Sequence, residues 1–277
     1  MSESPALSPA GPPVPALDGS RMLIARLRWE VAGTGTTQTD DRAADAWLTT
    51  GLAPAQLHEI YAAEAADGTA AIGFAVALAL AAGALPVLWV RTEKDERQAG
   101  RLHAGGLAEL GLPPDSIVLV VAADEAALLR VAADAARCSG LGMLLVESRG
   151  RAPGLDLTAT RRLMLAAEAS GVTVLSVRID AAPVPSAAAT RWGVAAMPSV
   201  PLEAEAPGLP AFDVESLRRR GGPAGARCRV EWNRENRSFD PCPIQPAAQT
   251  ALAGSGLPLV AGGAAARDAP ASVRRSG

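Results

Sequence analysis

The sequence predicts an α/β protein with a mostly parallel sheet flanked by helices. Three observations carry that expectation. Short, mainly apolar runs recur at 57–61, 87–90, 117–121, 143–146 and 172–177. Segments of helical length and pattern separate them, with Gly or Pro at the turns. Hydrophobic residues make up 49% of the 277 residues and charged residues 20%, enough for a sizeable core and too apolar for wholesale disorder. Apolar strands alternating with helices belong to parallel sheets covered on both faces, with right-handed crossovers.

From the N-terminus, residues 1–19 are rich in Pro, Ser and Ala and are expected to form a disordered extension. Leu23, Ile24, Leu27 and Val31 follow Ser20, a candidate N-cap, at helical spacing, so a helical arm and linker are expected over 20–49. The strand at 57–61 leads through a Gly-bearing loop at 62–68 into a helix at 71–82. From Ala70 to Val90 there are 21 residues without a charge, a length that could cross a bilayer. Gly83 and Pro86 interrupt that run and Ala is only marginally apolar. The expectation is therefore a buried Ala-rich helix, a turn and a buried strand. A helix at 97–110 should end at Gly111, ahead of Pro113 and Pro114. A strand at 117–121, helix at 125–138, strand at 143–146, helix at 158–170 and strand at 172–177 complete the alternation. Beyond Arg178 the pattern changes. Pro198 breaks the segment 186–200, and 228–232 with 237–239 flank 233–236 as a hairpin. The Pro/Gly/Ala/Ser-rich stretch at 241–277 is expected to be a flexible tail.

Charge and composition exclude several classes. Lys+Arg is 26 and Asp+Glu is 29, so the net charge is -3 and the pI about 5.5, without the global basic excess of a nucleic-acid binder. Cys138, Cys228 and Cys242 cannot all pair and match no zinc spacing, and His58 and His103 leave little room for a metal site. No metal and no cofactor is expected. His58 reads as a structural histidine on the first strand, and Cys138 as a small core residue on a helix. The N-terminus lacks the basic and apolar regions of a secretion signal, so a cytoplasmic location without membrane contact is expected.

The strand, loop and helix at 57–82 form the context of a phosphate-binding loop, whose pattern is Gly, four residues, then Gly-Lys-Ser/Thr. The corresponding register runs from Ala63 to Ala70. Gly68 supplies the second glycine. Ala63 stands for the first glycine, Thr69 for the lysine and Ala70 for the magnesium-binding hydroxyl. Losing the lysine removes a point charge, losing the hydroxyl removes a direct Mg²⁺ ligand, and Ala63 restricts the backbone where Gly reaches positive φ. Phosphoryl transfer is therefore unsupported. Glu93 and Glu147 fall at the carboxyl ends of expected parallel strands, where α/β proteins place their sites, and read as vestigial without the other groups.

Gly51-Leu52 followed by Leu57-His58-Glu59-Ile60-Tyr61 resembles the lead-in to the nucleotide loop of RecA-type recombinases. In order, Trp89-Val90-Arg91-Thr92-Glu93 looks like the strand ending in the glutamate that activates water. Leu144-Leu145-Val146-Glu147-Ser148 looks like the Walker B strand, with Glu147 for the usual Asp. The segment 228–239 is similar to the late hairpin of that core. Closer still is the ImuA family, RecA-like accessory proteins of damage-induced translesion mutagenesis. Leu57-His58-Glu59, the stretch from Leu155 to Val172, Ser186-Ala187-Ala188 with Thr190-Arg191-Trp192, Pro198-Ser199 and Glu231-Trp232 carry that likeness. The resemblance implies a RecA-like P-loop-type core over 50–240 with a degenerate Walker A. It implies a non-catalytic adaptor in the SOS response to DNA damage. Its implied partners are an ImuB-like polymerase-related protein, RecA and an error-prone replicative-type polymerase. A weak nucleotide-dependent ATPase and a damage-inducible inhibitor of cell division are the alternatives.

Seven arginines crowd twenty positions: Arg218, Arg219, Arg220, Arg227, Arg229, Arg234 and Arg237, against Glu231 and Glu235. Such density suits an acidic partner surface or weak contact with single-stranded DNA. Trp232 and Phe239 alone supply aromatics, so a base-stacking platform is not expected. Arg191 and Trp192 are further candidates for partner contact.

Overall fold

A computed structural model describes residues 52–220, 224–225 and 227–241. The expected N-terminal extension and arm lie outside the described residues, as does the tail beyond Pro241. Nine strands form one sheet: β1 (Leu57–Ala62), β2 (Val87–Thr92), β3 (Ile117–Ala122), β4 (Met143–Arg149), β5 (Thr173–Ile179), β6 (Thr190–Ala196), β7 (Ala211–Arg219), β8 (Arg227–Asn233) and β9 (Ser238–Pro241). Their order is β3-β2-β4-β5-β1-β6-β7-β8-β9. Pairings from β3 through β6 are parallel and those from β6 through β9 antiparallel. The helices are α1 (Gly68–Ala81), α2 (Glu93–Ala99), α3 (Ala104–Glu109), α4 (Glu125–Ala135) and α5 (Leu157–Ser170). The expected fold class, a mostly parallel sheet flanked by helices, is what the structure has.

Two apolar layers hold the sheet between its helices. Ile60, Trp89, Leu145, Val177, Trp192, Val214 and Val230 turn one face of the sheet toward α1. Leu57, Val90, Leu144, Val146 and Val174 turn the other toward Leu128 and Ala132 of α4 and Leu163 and Ala167 of α5. The alternation along each strand follows from the period of two. Helix α1 has no polar face: Ala71 and every residue from Phe74 to Leu80 are buried, as a helix apolar all round must be. The uncharged run at 70–90 therefore becomes α1, a turn and β2, and no helix among the described residues is long and apolar enough to cross a membrane.

Three expectations need correction. The helix at 97–110 is two helices: α2 starts at Glu93 and stops at Gly100, whose φ of 82° favours glycine, and α3 follows at Ala104. Its start was written in the sequence. Thr92 and Asp95 form a reciprocal capping box, with Asp95 N donating to Thr92 Oγ1 and Thr92 N to Asp95 Oδ2. Cys138 lies beyond the end of α4 and is exposed, because that helix ends at Ala135 rather than at 138. Strand β7 was not anticipated. Phe212, Val214 and Ser216 are buried on one face while Asp213, covered by Arg227, and the exposed Glu215 lie on the other, a period-two pattern that follows a Pro-rich loop. The late hairpin is present as β8 and β9, with Trp232 opposite Phe239 and Asn233 opposite Ser238. Asn233 Oδ1 accepts the N–H groups of Glu235 and Asn236 and closes its turn.

Candidate functional site

Strand β1 ends at Ala62 and α1 begins at Gly68, so the chain keeps the strand, loop and helix order of a phosphate loop. A 3-10 turn at Ala65–Asp67 fills the loop. Gly68 has φ of -57°, an ordinary helical value, so conformational freedom is not why glycine stands there. Space is the reason: a Cβ would lie 2.8 Å from Ile179 Cγ2 and 3.2 Å from Arg149 Nη1. Ala63 is not among the described residues with positive φ, so the loop needs no glycine at that position. Thr69 is exposed and Ala70 half-buried. The loop also carries two carboxylates: Glu64 is exposed, and Asp67 Oδ1 accepts Ala196 N–H at 2.8 Å. Negative charge at this helix start opposes an anion that the helix dipole would otherwise favour. With no ammonium at Thr69, no hydroxyl at Ala70 and two carboxylates in the loop, this donor set does not fit a magnesium-bound triphosphate.

Glu93 and Glu147 have opposite surroundings. Glu93 is the first residue of α2, with a side chain 54% exposed, and pairs with Arg97 one turn on at 3.4 Å. Glu147 is 1% exposed. Its Oε1 meets Arg91 at 3.2 Å and Arg149 at 3.3 Å, and its Oε2 accepts the Trp89 indole N–H at 3.0 Å. Burial pushes the Glu147 carboxyl above the usual carboxylate range, outweighing both guanidiniums and the indole hydrogen bond. Arg91, itself 1% exposed, donates also to the carbonyls of Asp95 and Gly100, which ties the ends of α2 to β2. Glu147 is thus committed to holding strand and helix together.

A second buried ionic cluster was not foreseen. Glu59 is fully buried in the middle of β1. Arg191 Nε on the neighbouring β6 donates to Glu59 Oε2 at 2.7 Å, and the Ser186 hydroxyl donates to the same oxygen at 2.8 Å. Arg191 Nη2 also donates to Val184 O, and Arg178 and Arg191 both lie over the Tyr61 ring. A carboxylate in a strand buried on both faces must find a cation, and that requirement was the available signal. Trp192 packs against Phe74 edge-on and stacks on His58 with ring centroids 5.6 Å apart. The expected partner contact at Arg191 and Trp192 needs correction: both are buried and serve the interior. His58 Nε2 meets the Ala53 carbonyl at 2.8 Å, which can only accept, so Nε2 carries the proton and Nδ1 accepts from Thr190 Oγ1 at 2.6 Å. Burial lowers the pKa of His58 to about 4, so the imidazole is neutral.

The arginine-rich stretch divides among different places. Arg227 clamps Asp213 with two bonds of 2.7 and 2.8 Å, and Arg229 lies 3.6 Å from the same carboxylate. Arg227 and Arg229 share one face of β8 with Glu231, while Cys228, Val230 and Trp232 are buried on the other. Arg218 donates to the Ser186 carbonyl, and Arg234 to the Glu109 carbonyl at the end of α3. Arg219 lies on β7 and Arg220 follows it, with Nη2 3.8 Å from the Met164 sulfur. The strands therefore bring Arg227 and Arg229 together, around an acid, and leave Arg234 at the far turn.

The fold and the site define an α/β protein whose first strand–loop–helix lacks a phosphate loop's lysine and hydroxyl and carries two carboxylates. The chain is similar to the crystal structure of the RadB recombinase, at 16% identity and a TM-score of 0.49, over 73% of this chain and 97% of that one. No protein-family model and no curated protein matches it.

Proposed function

We propose that this chain is a non-catalytic adaptor in damage-induced translesion synthesis, joining an ImuB-like polymerase-related protein, RecA and an error-prone replicative-type polymerase. The observation that carries the reading is the loop between β1 and α1. It keeps the length of a phosphate loop, carries the carboxylates Glu64 and Asp67, and has Thr69 and Ala70 at the positions of the lysine and hydroxyl. Glu93, which the resemblance aligns with a water-activating glutamate, makes an exposed pair with Arg97. A protein without hydrolysis acts through its surfaces. One such surface is β3, an edge of the sheet among the described residues. It exposes Val118 by 50%, Leu119 by 40% and Val121 by 37%, and free apolar edges invite strand addition. Calorimetric titration with Mg-ATP and a phosphate-release assay test the catalytic half, and no turnover is expected. Micromolar binding with turnover lost in Glu93→Gln would sink it. Damage-induced mutagenesis in a deletion strain tests the adaptor half and should fall, whereas an unchanged mutation frequency with altered cell division would refute it.

A further inference from the structure

We infer that a phosphate-sized oxyanion binds at the carboxyl ends of β2, β3 and β4, in a cavity of about 240 Å³ among Lys94, Ser148 and Arg151. The carboxyl ends of parallel strands are where open α/β sheets take their ligands. Three carboxylates and three cations line this cavity, so bare counting gives no net charge. Their commitments differ. Asp95 accepts the N–H and hydroxyl of Thr92, Asp124 accepts Ala127 N–H at 2.7 Å, and Glu125 accepts Gly154 N–H at 2.6 Å. Arg149 is turned to Glu147. Lys94, the sole lysine of the chain, and Arg151 make no hydrogen bond or ion pair with the described residues. Neutral donors leave each carboxylate its charge, so what distinguishes the site is geometric: Lys94 and Arg151 are the lining cations whose donors are unpaired among the described residues.

Ser148 supplies the independent observation. It is 6% exposed, it lines the cavity, and its hydroxyl has no hydrogen-bond partner. A buried hydroxyl left unpaired costs about 1–3 kcal/mol, which a ligand oxygen would recover. The loop carrying Arg151 is also held from both sides. Glu125 fixes it to α4 through Gly154, where a Cβ would lie 2.9 Å from Glu125 Oε1 and Leu129 Cδ1. On the other side Arg178 donates to the carbonyls of Ala152 and Leu155. A pinned loop leaves little ordering to be done on binding. The volume lies below the range of about 300–1,000 Å³ that encloses a whole small molecule, so the site fits one phosphate group, free or as the end of a phosphate ester.

The test titrates the full-length protein with inorganic phosphate by calorimetry at constant ionic strength, with phosphoserine as a second titrant. Saturable binding is expected. Each of Lys94→Ala and Arg151→Ala should weaken it about tenfold, since each removes one charge-assisted contact. Both side chains are exposed, so the variants should fold, and Arg234→Ala at the distant turn should bind as wild type. Tighter binding of phosphoserine than of phosphate identifies an ester as the ligand, and the reverse identifies the free ion. Absence of saturable binding, or binding unchanged in the Lys94→Ala/Arg151→Ala double variant, overturns the site. The outcome is independent of the nucleotide loop, which contributes none of these residues.

Discussion

Glu147 shows how a residue with the look of a catalyst can be absorbed by structure. Its neighbours are a buried arginine, a partly buried arginine and an indole. Removing one member of a buried ion pair strands the other, which costs about 3–5 kcal/mol, whereas replacing both by apolar residues of similar volume is often neutral or stabilising. Glu147→Gln should therefore destabilise the protein by about 3 kcal/mol in urea unfolding, while Arg91→Met/Glu147→Leu should lie close to wild type. Equal losses in both variants would mean that the pair itself stabilises the fold. His58 makes a second residue-scale prediction. With a folded pKa of about 4 against an ordinary 6.5, the unfolded chain binds more protons between those values. The stability from this group is thus complete above pH 6.5 and is lost as pH falls toward 4. Between pH 7 and pH 5 the loss should be about 2 kcal/mol. His58→Asn, which cannot titrate, should show a flatter profile over that interval, and an unchanged slope would place the proton uptake elsewhere.

At the scale of elements, the strands of the parallel half were legible because each is an apolar run that a covered sheet requires. Boundaries were legible only where caps were read. Thr92 and Asp95 cap α2 four residues ahead of the helix expected from 97, because a capping pair lies outside the amphipathic repeat that marks a helix body. Strand β7 hid because a half-covered strand alternates, so Asp213 and Glu215 interrupt the apolar signal that marked β1 to β5. The candidate site was legible as an absent ammonium at Thr69 and an absent hydroxyl at Ala70. The acids beside them, Glu64 and Asp67, carry no signal in the sequence because a loop carboxylate looks ordinary until the helix start behind it is known. Strand β3 carries the element-scale prediction. Val118→Lys/Val121→Lys puts charge on both faces of an exposed edge, which is how natural sheets block strand addition. Since both positions are more than a third exposed, stability should change by under about 1 kcal/mol. Capture of an ImuB-like partner in a pull-down should be lost, and full retention of the partner would exclude β3 as the docking edge.

For the molecule as a whole, topology sets where the fold is strongest. Strands β4, β5 and β1 lie between other strands and beneath helices, and each of their residues other than Arg149 is buried. Both ionic clusters, Glu59 with Arg191 and Glu147 with Arg91, bridge neighbouring strands of that region. Opening any of these strands exposes two apolar layers and two charges at once, so they should open only with the entire domain. The ends of the sheet differ. Among the described residues, β3 has one neighbour and β9 pairs only with β8. Regions with few buried contacts open locally at free energies well below the global value. Native-state hydrogen exchange should therefore find the slowest amides in β1, β4, β5 and α1, all converging on the free energy measured by urea unfolding. Amides of β3 should exchange faster, by local opening with little dependence on denaturant. Addition of a strand from a partner would reverse that order at β3 alone, because its outward N–H groups would gain acceptors while the centre, already limited by global unfolding, would change only as much as binding raises overall stability. Protection of β3 equal to that of β5 in the isolated protein would show that the edge is already covered, and the docking role assigned to it would fail.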